Sequence, residues 1–235
     1  MVSRRDAEAL RREFGLVGEL LVRDLTGFFG SLNLRKPEAA RDSLLEFVPL
    51  LVAQYGEVAA TIAADWYDDM RAAERVRGTF RATIFVPDET FATEQTVRRA
   101  AGSLFTDAPV EALPTIAGKA TKYALSGGRM TVARSTVADP QASGWKRVTS
   151  AGACRFCRML AGRGGVYKES TAHFAAHGGA KGGECKCAAV PSWDPDAPEV
   201  DVRLYEASKR TSRMTPAQRE RHNAQMRSYL EAYDD

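Results

Sequence analysis

The sequence predicts a mainly α protein of the α+β class: a helical N-terminal domain followed by a small, irregular, Cys-rich C-terminal module. Two long stripes of apolar residues at helical spacing dominate the first third of the chain, and all four cysteines, with two of the three histidines, fall between positions 154 and 187. The composition permits such a plan. With 235 residues, 44% hydrophobic and 27% charged, the chain can core one or two domains, and it does not read as disordered, collagen-like or disulfide-stapled. The expected divisions are a helical domain over 1–78, a mixed α/β connecting region over 79–150, a Cys/His-rich module over 151–192, and a linker with a C-terminal helix over 193–235.

Leu10, Phe14, Val17, Leu21, Leu25 and Phe28 recur every three or four residues and predict one amphipathic helix over roughly 4–29. Gly15 and Gly18 oppose it, each costing about 1 kcal/mol relative to Ala in a helix interior. After a connector at Asn33 to Pro37, the residues Leu44, Val48, Leu51, Tyr55, Val58, Ile62, Trp66 and Met70 predict a longer helix over roughly 38–76. Pro49 should kink or divide it. The whole stripe is expected in the core, with Trp66 packed against the first helix. Asp65, Asp68 and Asp69 could pair for acid/base or metal chemistry, but with no His near them they read as a solvated acidic face.

Phe80 to Val86 has the β-branched and aromatic content of a short strand, ended by Pro87-Asp88. Thr90 to Leu104 and Val110 to Leu125 read as helices, and Ser126-Gly127-Gly128 as a stop. Arg129 to Val137 is then a strand or a further short helix. Pro191 to Pro198, with three prolines, reads as a linker or exposed loop. Thr215-Pro216-Ala217-Gln218 has the form of a capping box opening a last helix to about Ala232.

A net charge of +3 is too small to argue nucleic-acid binding. Between Arg203 and Arg227 seven Lys/Arg stand against two Glu, a solvated helix face or a place for DNA contact. The longest apolar runs, such as Phe47 to Ala53, fall far below the ~20 residues that span a bilayer, so no membrane partner is expected. The charged start, Arg4-Arg5-Asp6, lacks the apolar core of a secretory signal, and an intracellular product is expected.

The chemistry lies in Cys154-x2-Cys157, His173, His177 and Cys185-x-Cys187. In a chain without a secretion signal, clustered Cys and His suit a metal better than disulfides. Thiolates select zinc over magnesium or calcium, and a site closed by four protein ligands is structural. Six candidates compete for four places: all four cysteines, or three cysteines and a histidine. The many glycines between 162 and 183 bury little apolar surface, and there a metal crosslink stabilises most. The plainer alternative is free thiols. A thioredoxin-like use of Cys-x2-Cys would need a strand leading into it, and Thr149 to Ala153 does not read as one. No nucleophile elbow, phosphate loop, H-E-x-x-H or dinucleotide fingerprint is present, so no catalytic constellation is recognisable.

Trp145-Lys146-Arg147-Val148, the run GACRFCRMLAGRGGVYKES over 152–170 and ECKCAAVP over 184–191 resemble the C-terminal segment of the Mu F-like minor head proteins of tailed bacteriophages. Within that group they are most similar to the portal-adjacent head proteins of actinobacteriophages, often labelled capsid maturation protease. The helix around Tyr55, Ala59, Ala60, Ala64, Asp65, Trp66 and Tyr67 is similar to the same group, so the resemblance covers about 50–190. It implies motif positions at Cys154, Cys157, His177, Cys185 and Cys187. Members carry the His close to the Cys-x-Cys pair, whereas Gly178 to Glu184 separates His177 from Cys185 here, which favours the four cysteines.

The resemblance further implies a capsid-assembly role beside the portal, with portal, major capsid or scaffold subunits as partners. It places the chain in the host cytoplasm during assembly and in the virion head afterwards. A protease acting on scaffold or capsid subunits is the alternative it carries. Such an enzyme needs a nucleophile within reach of a base. The bases on offer are His173, His177 and His222, and the nearby serines are Ser143, Ser150, Ser170 and Ser192, among which spacing does not choose. A cysteine protease would draw on thiols that the metal would occupy. A third class, a zinc-ribbon DNA binder, is disfavoured by the weak net charge.

About one zinc per chain should copurify, and Cys157→Ser should lower both zinc content and the melting temperature. Metal-free wild type of unchanged stability would contradict a structural zinc.

Overall fold

The computed structural model describes residues 2–149, 161, 188–194, 215–218, 220, 221 and 224. They are mainly helical: α1 (Arg4–Ser31), α2 (Pro37–Ala73), α3 (Thr90–Ala100) and α4 (Ala112–Ala138), with short 3-10 turns at Ala101–Phe105 and Pro109–Glu111. A two-stranded antiparallel ribbon of β1 (Gly144–Val148) and β2 (Ala188–Ser192) follows. The contacts divide the chain into two compact units, one of Met1–Glu8, Tyr67–Arg81 and Val132–Asp235, the other of Ala9–Trp66 and Ala82–Thr131.

In the second unit α1 buries Leu10, Phe14, Val17, Leu21 and Leu25, the stripe its spacing predicts, with Phe29 completing it in place of the half-buried Phe28. Ser3 opens this helix with an unforeseen capping box. Its hydroxyl accepts from Asp6 N at 3.2 Å while Asp6 accepts from Ser3 N at 2.9 Å, satisfying donors the first turn leaves free. The hydrogen bonds from Ser3 hold the Asp6 carboxyl below its ordinary pKa.

Pro49 does not divide α2. It sits half-buried beside the exposed Leu50, and the helix continues through it. Leu44, Val48, Leu51 and Tyr55 are core as expected. The remainder of the predicted stripe is not: Val58 is exposed, and Ile62, Trp66 and Met70 are only partly covered. Ala59, Ala60, Ala63 and Ala64 take the buried face instead, so between Gly56 and Ala64 the helix packs through small residues. By length and composition α2 could cross a membrane, a property hidden from a count of uninterrupted apolar runs, yet half of its most apolar window is buried within the chain.

The partner for that small-residue face explains the largest departure from the sequence reading. Ser126-Gly127-Gly128 does not end a helix; α4 runs through it, and Arg129 to Val137 is its last part. A Cβ on Gly127 would fall 2.5 Å from the Gly56 carbonyl oxygen, and one on Gly128 would fall 2.8 Å from that of Ala59. Two helix backbones pass in contact here, and only glycine leaves the space. Among the described residues only β1 and β2 are strands, so Phe80 to Val86 does not form the expected one. The backbone of Phe85 is satisfied by one helical side chain: Thr131 Oγ1 accepts from Phe85 N at 2.9 Å and donates to Phe85 O at 3.1 Å.

In the first unit Trp145 is fully buried, and Arg147 and Thr149 share its inward side at the two-residue period of a strand. Pro191 and Ser192 belong to β2 and are buried, so the Pro-rich stretch begins inside the ribbon rather than as an exposed loop. Proline is tolerated because a two-stranded ribbon has only edge strands. Thr215 and Gln218 form the predicted box, Thr215 N donating to Gln218 Oε1 at 2.9 Å and Gln218 N to Thr215 Oγ1 at 3.3 Å.

Gly127→Ala should lower stability by about 1–3 kcal/mol through overpacking. Gly15→Ala, where a Cβ meets nothing, should be neutral or stabilise by about 0.5–1 kcal/mol. Urea midpoints of the two variants check this, and equal effects would contradict the close crossing.

Candidate functional site

The described polar groups that converge most tightly lie in the first unit, where Tyr67 and Arg71 stand one helical turn apart near the end of α2. The carboxylate they meet is Asp139, the first residue after α4, whose side chain is fully buried. Asp139 Oδ2 accepts from Arg71 Nε at 3.0 Å, Tyr67 OH at 3.2 Å and Trp193 Nε1 at 2.9 Å, while Oδ1 accepts from Gln141 N at 3.0 Å. Tyr67 meets Trp193 and Phe80 edge to face, at 5.4 and 6.1 Å between ring centres, and Arg71 lies over the Phe80 ring at 5.9 Å.

Burial opposes the Asp139 charge, yet the hydrogen bonds from Arg71, Trp193 and Gln141 outweigh it and hold the carboxyl below its ordinary pKa. Burial, reinforced by the Asp139 charge, pushes the Tyr67 phenol well above its usual range. A carboxylate so saturated and a phenol so hard to ionise are suited to holding structure rather than moving protons.

The rest of the Arg71 guanidinium fixes the turn that ends α2. It donates to the carbonyls of Gly78 at 3.0 Å, Val76 at 3.4 Å and Arg77. That turn is a Schellman motif: Val76 N reaches Arg71 O at 3.1 Å and Arg75 N reaches Ala72 O at 3.0 Å, with Arg75 itself left-handed at φ 53°. Nearby on β1, Lys146 Nζ donates to Val2 O at 3.1 Å. Burial lowers its pKa, while the charges of Glu74 and Asp194 act in the opposite sense.

The predicted metal ligands Cys154, Cys157, His177, Cys185 and Cys187, and with them His173, lie outside the described residues. The strands that flank their segment do not: the ribbon sets Val148 opposite Ala188. Among the serines weighed as nucleophiles, Ser143 gives both its N and its Oγ to Ser192 O, at 2.8 and 2.9 Å, and Ser192 is buried. Ser150, Ser170 and His222 lie outside the described residues, as does most of the basic stretch from Arg203 to Arg227. Asp65 and Asp69 are exposed, as the solvated reading requires, and Asp68 takes Arg81 at 3.2 Å.

Sequence reasoning missed Tyr67, Arg71, Asp139 and Trp193 as a group. The legible sign was Arg71 on the same face as Ala60, Ala64 and Tyr67, a guanidinium placed where the apolar pattern puts core.

Set beside known families, the chain is a phage protein: it belongs to the VG15 protein family, whose model matches residues 1–210. That span takes in the Asp139 cluster and the whole Cys/His segment. No curated protein and no solved structure matches it.

Arg71→Met should cost about 3–5 kcal/mol at neutral pH, because it strands a buried carboxylate. With its folded pKa depressed, Asp139 stabilises fully above the unfolded carboxylate pKa of about 3.9, and that stability is lost as pH falls through the folded value. The gap between wild type and Arg71→Met, read from urea midpoints, should therefore narrow below about pH 4. A gap of constant size from neutral to acid would contradict the assignment.

Proposed function

We propose that the chain is a minor head protein that acts in capsid assembly beside the portal, in the host cytoplasm while heads form and in the virion afterwards. The family match across residues 1–210 carries this reading. The Mu F-like motifs over 145–191 sharpen it from a phage protein to a head protein.

The mode of action is binding. The helical domain meets portal, capsid or scaffold subunits, and a zinc-stabilised module presents the segment between β1 and β2. Cys154, Cys157, Cys185 and Cys187 would hold the ion, with His177 as the replacement ligand. The ribbon fits this, because it already bears the entropy of bringing the two ends of the segment together. Zinc would supply a crosslink and no chemistry. The residues after Arg203 are the place for contact with packaged DNA.

The four cysteines so committed leave no thiolate for a cysteine protease. The Ser143 hydroxyl donates to the Ser192 carbonyl and Ser192 is buried, which argues against either as the nucleophile. The chain is expected in portal-containing proheads and in virions, and its deletion should reduce the yield of filled heads. Its absence from both particles would overturn the head role. Coexpression with capsid, scaffold and portal, read by mass spectrometry of the capsid termini, should give the same termini for wild type, His173→Ala, His177→Ala and His222→Ala. A cut abolished by one of these, with fold and zinc content intact, would establish the protease reading instead.

A further inference from the structure

α1 carries a second stripe, on the side away from its core. Glu13, Leu16, Leu20, Arg23, Gly27 and Gly30 are spaced three, four, three, four and three, the a/d repeat of a coiled-coil seam, and every one of them is exposed. Leu16 is 53% and Leu20 41% exposed, on a helix whose other leucines at 10, 21 and 25 are completely covered. A Cβ on Gly27 or Gly30 would meet nothing, so the face is open along its length.

The order of charges along the stripe says what fits it. Laid antiparallel against itself about Gly18, the stripe sets Leu16 on the second copy's Leu20 and Glu13 on the second copy's Arg23, and the two-fold axis repeats both contacts. A parallel pairing would stack Glu13 on Glu13 and Arg23 on Arg23. In the single chain Arg23 rests on its neighbour Asp24 at 3.0 Å, an exposed contact that costs little to exchange. Glu19 lies on the solvent rim of the pair, where water screens it from its own copy.

We propose that α1 is a self-association surface, through which two copies of this chain pair by antiparallel contact of Glu13, Leu16, Leu20 and Arg23. The patch is small, so the association is weak and suited to molecules already held close together in an assembly.

Sedimentation velocity of the full chain over a range of about 5 to 500 µM tests it. The wild type should rise toward twice its 25.7 kDa mass, and Leu16→Gln with Leu20→Gln should remain monomeric with an unchanged melting curve. Glu13→Arg alone, or Arg23→Glu alone, should weaken the dimer about tenfold or more, and the two together should restore it, since the swap recreates both pairs. A wild type that is monomeric throughout would overturn the proposal. So would a dimer that survives the double glutamine variant, or one indifferent to the single charge reversals.

Discussion

Asp139 carries its charge where water does not reach it, and stripping a carboxylate of water costs several kcal/mol unless donors replace every lost hydration bond. Four donors do so, from the last turns of α2, the chain just beyond α4, and the residue after β2. Each brings its own segment with it. Tyr67 and Arg71 set the rotation of the end of α2. Gln141 tightens the turn leaving α4. Trp193 holds β2, and through the ladder β1, so the paired ends of the Cys/His segment are referred back to one buried charge.

Arg71 extends the same constraint in the other direction. Its Nε belongs to Asp139 and its terminal nitrogens to three successive carbonyls beyond α2, so one side chain both ends the helix and neutralises the acid. The fork of the guanidinium, five donors in one plane, allows this where a lysine ammonium would not. The left-handed Arg75 costs roughly 1–2 kcal/mol of backbone strain, and the two Schellman hydrogen bonds with the Arg71 contacts hold it in place.

The sequence announces helices through periodicity, from which α1 and the first half of α2 follow directly, and the Thr215 capping box is legible from its residue types. Periodicity misleads where packing is by small residues. The stripe through Val58, Ile62, Trp66 and Met70 looked like core because those residues are large, yet the buried face is the alanine line beside it, selected by how closely α4 approaches. Gly127 and Gly128 mislead for the same reason, since a glycine pair reads as a stop when only its own chain is considered. Phe80 to Val86 is not one of the strands among the described residues, and its Phe85 bonds to Thr131, a partner no local pattern reveals. The Asp139 cluster draws on residues 67, 71, 139 and 193, and separations of that size leave no spacing signature. The cysteine pattern, in contrast, is local in sequence, and it lies in the stretch of chain between β1 and β2.

A phage protein of the VG15 family built this way has a reference point in one buried charge, to which the ribbon flanking its Cys/His segment is tied. That charge is Asp139, and the bonds it accepts hold the unit in register. The most direct measurement is hydrogen exchange at the Trp193 indole N–H, assigned by comparison with Trp193→Phe. If the indole is bonded to a buried carboxylate, its proton should exchange only when the helices of its unit open, together with the Gln141 amide. Exchange at the rate of a free indole, while those helices stay protected, would contradict the account.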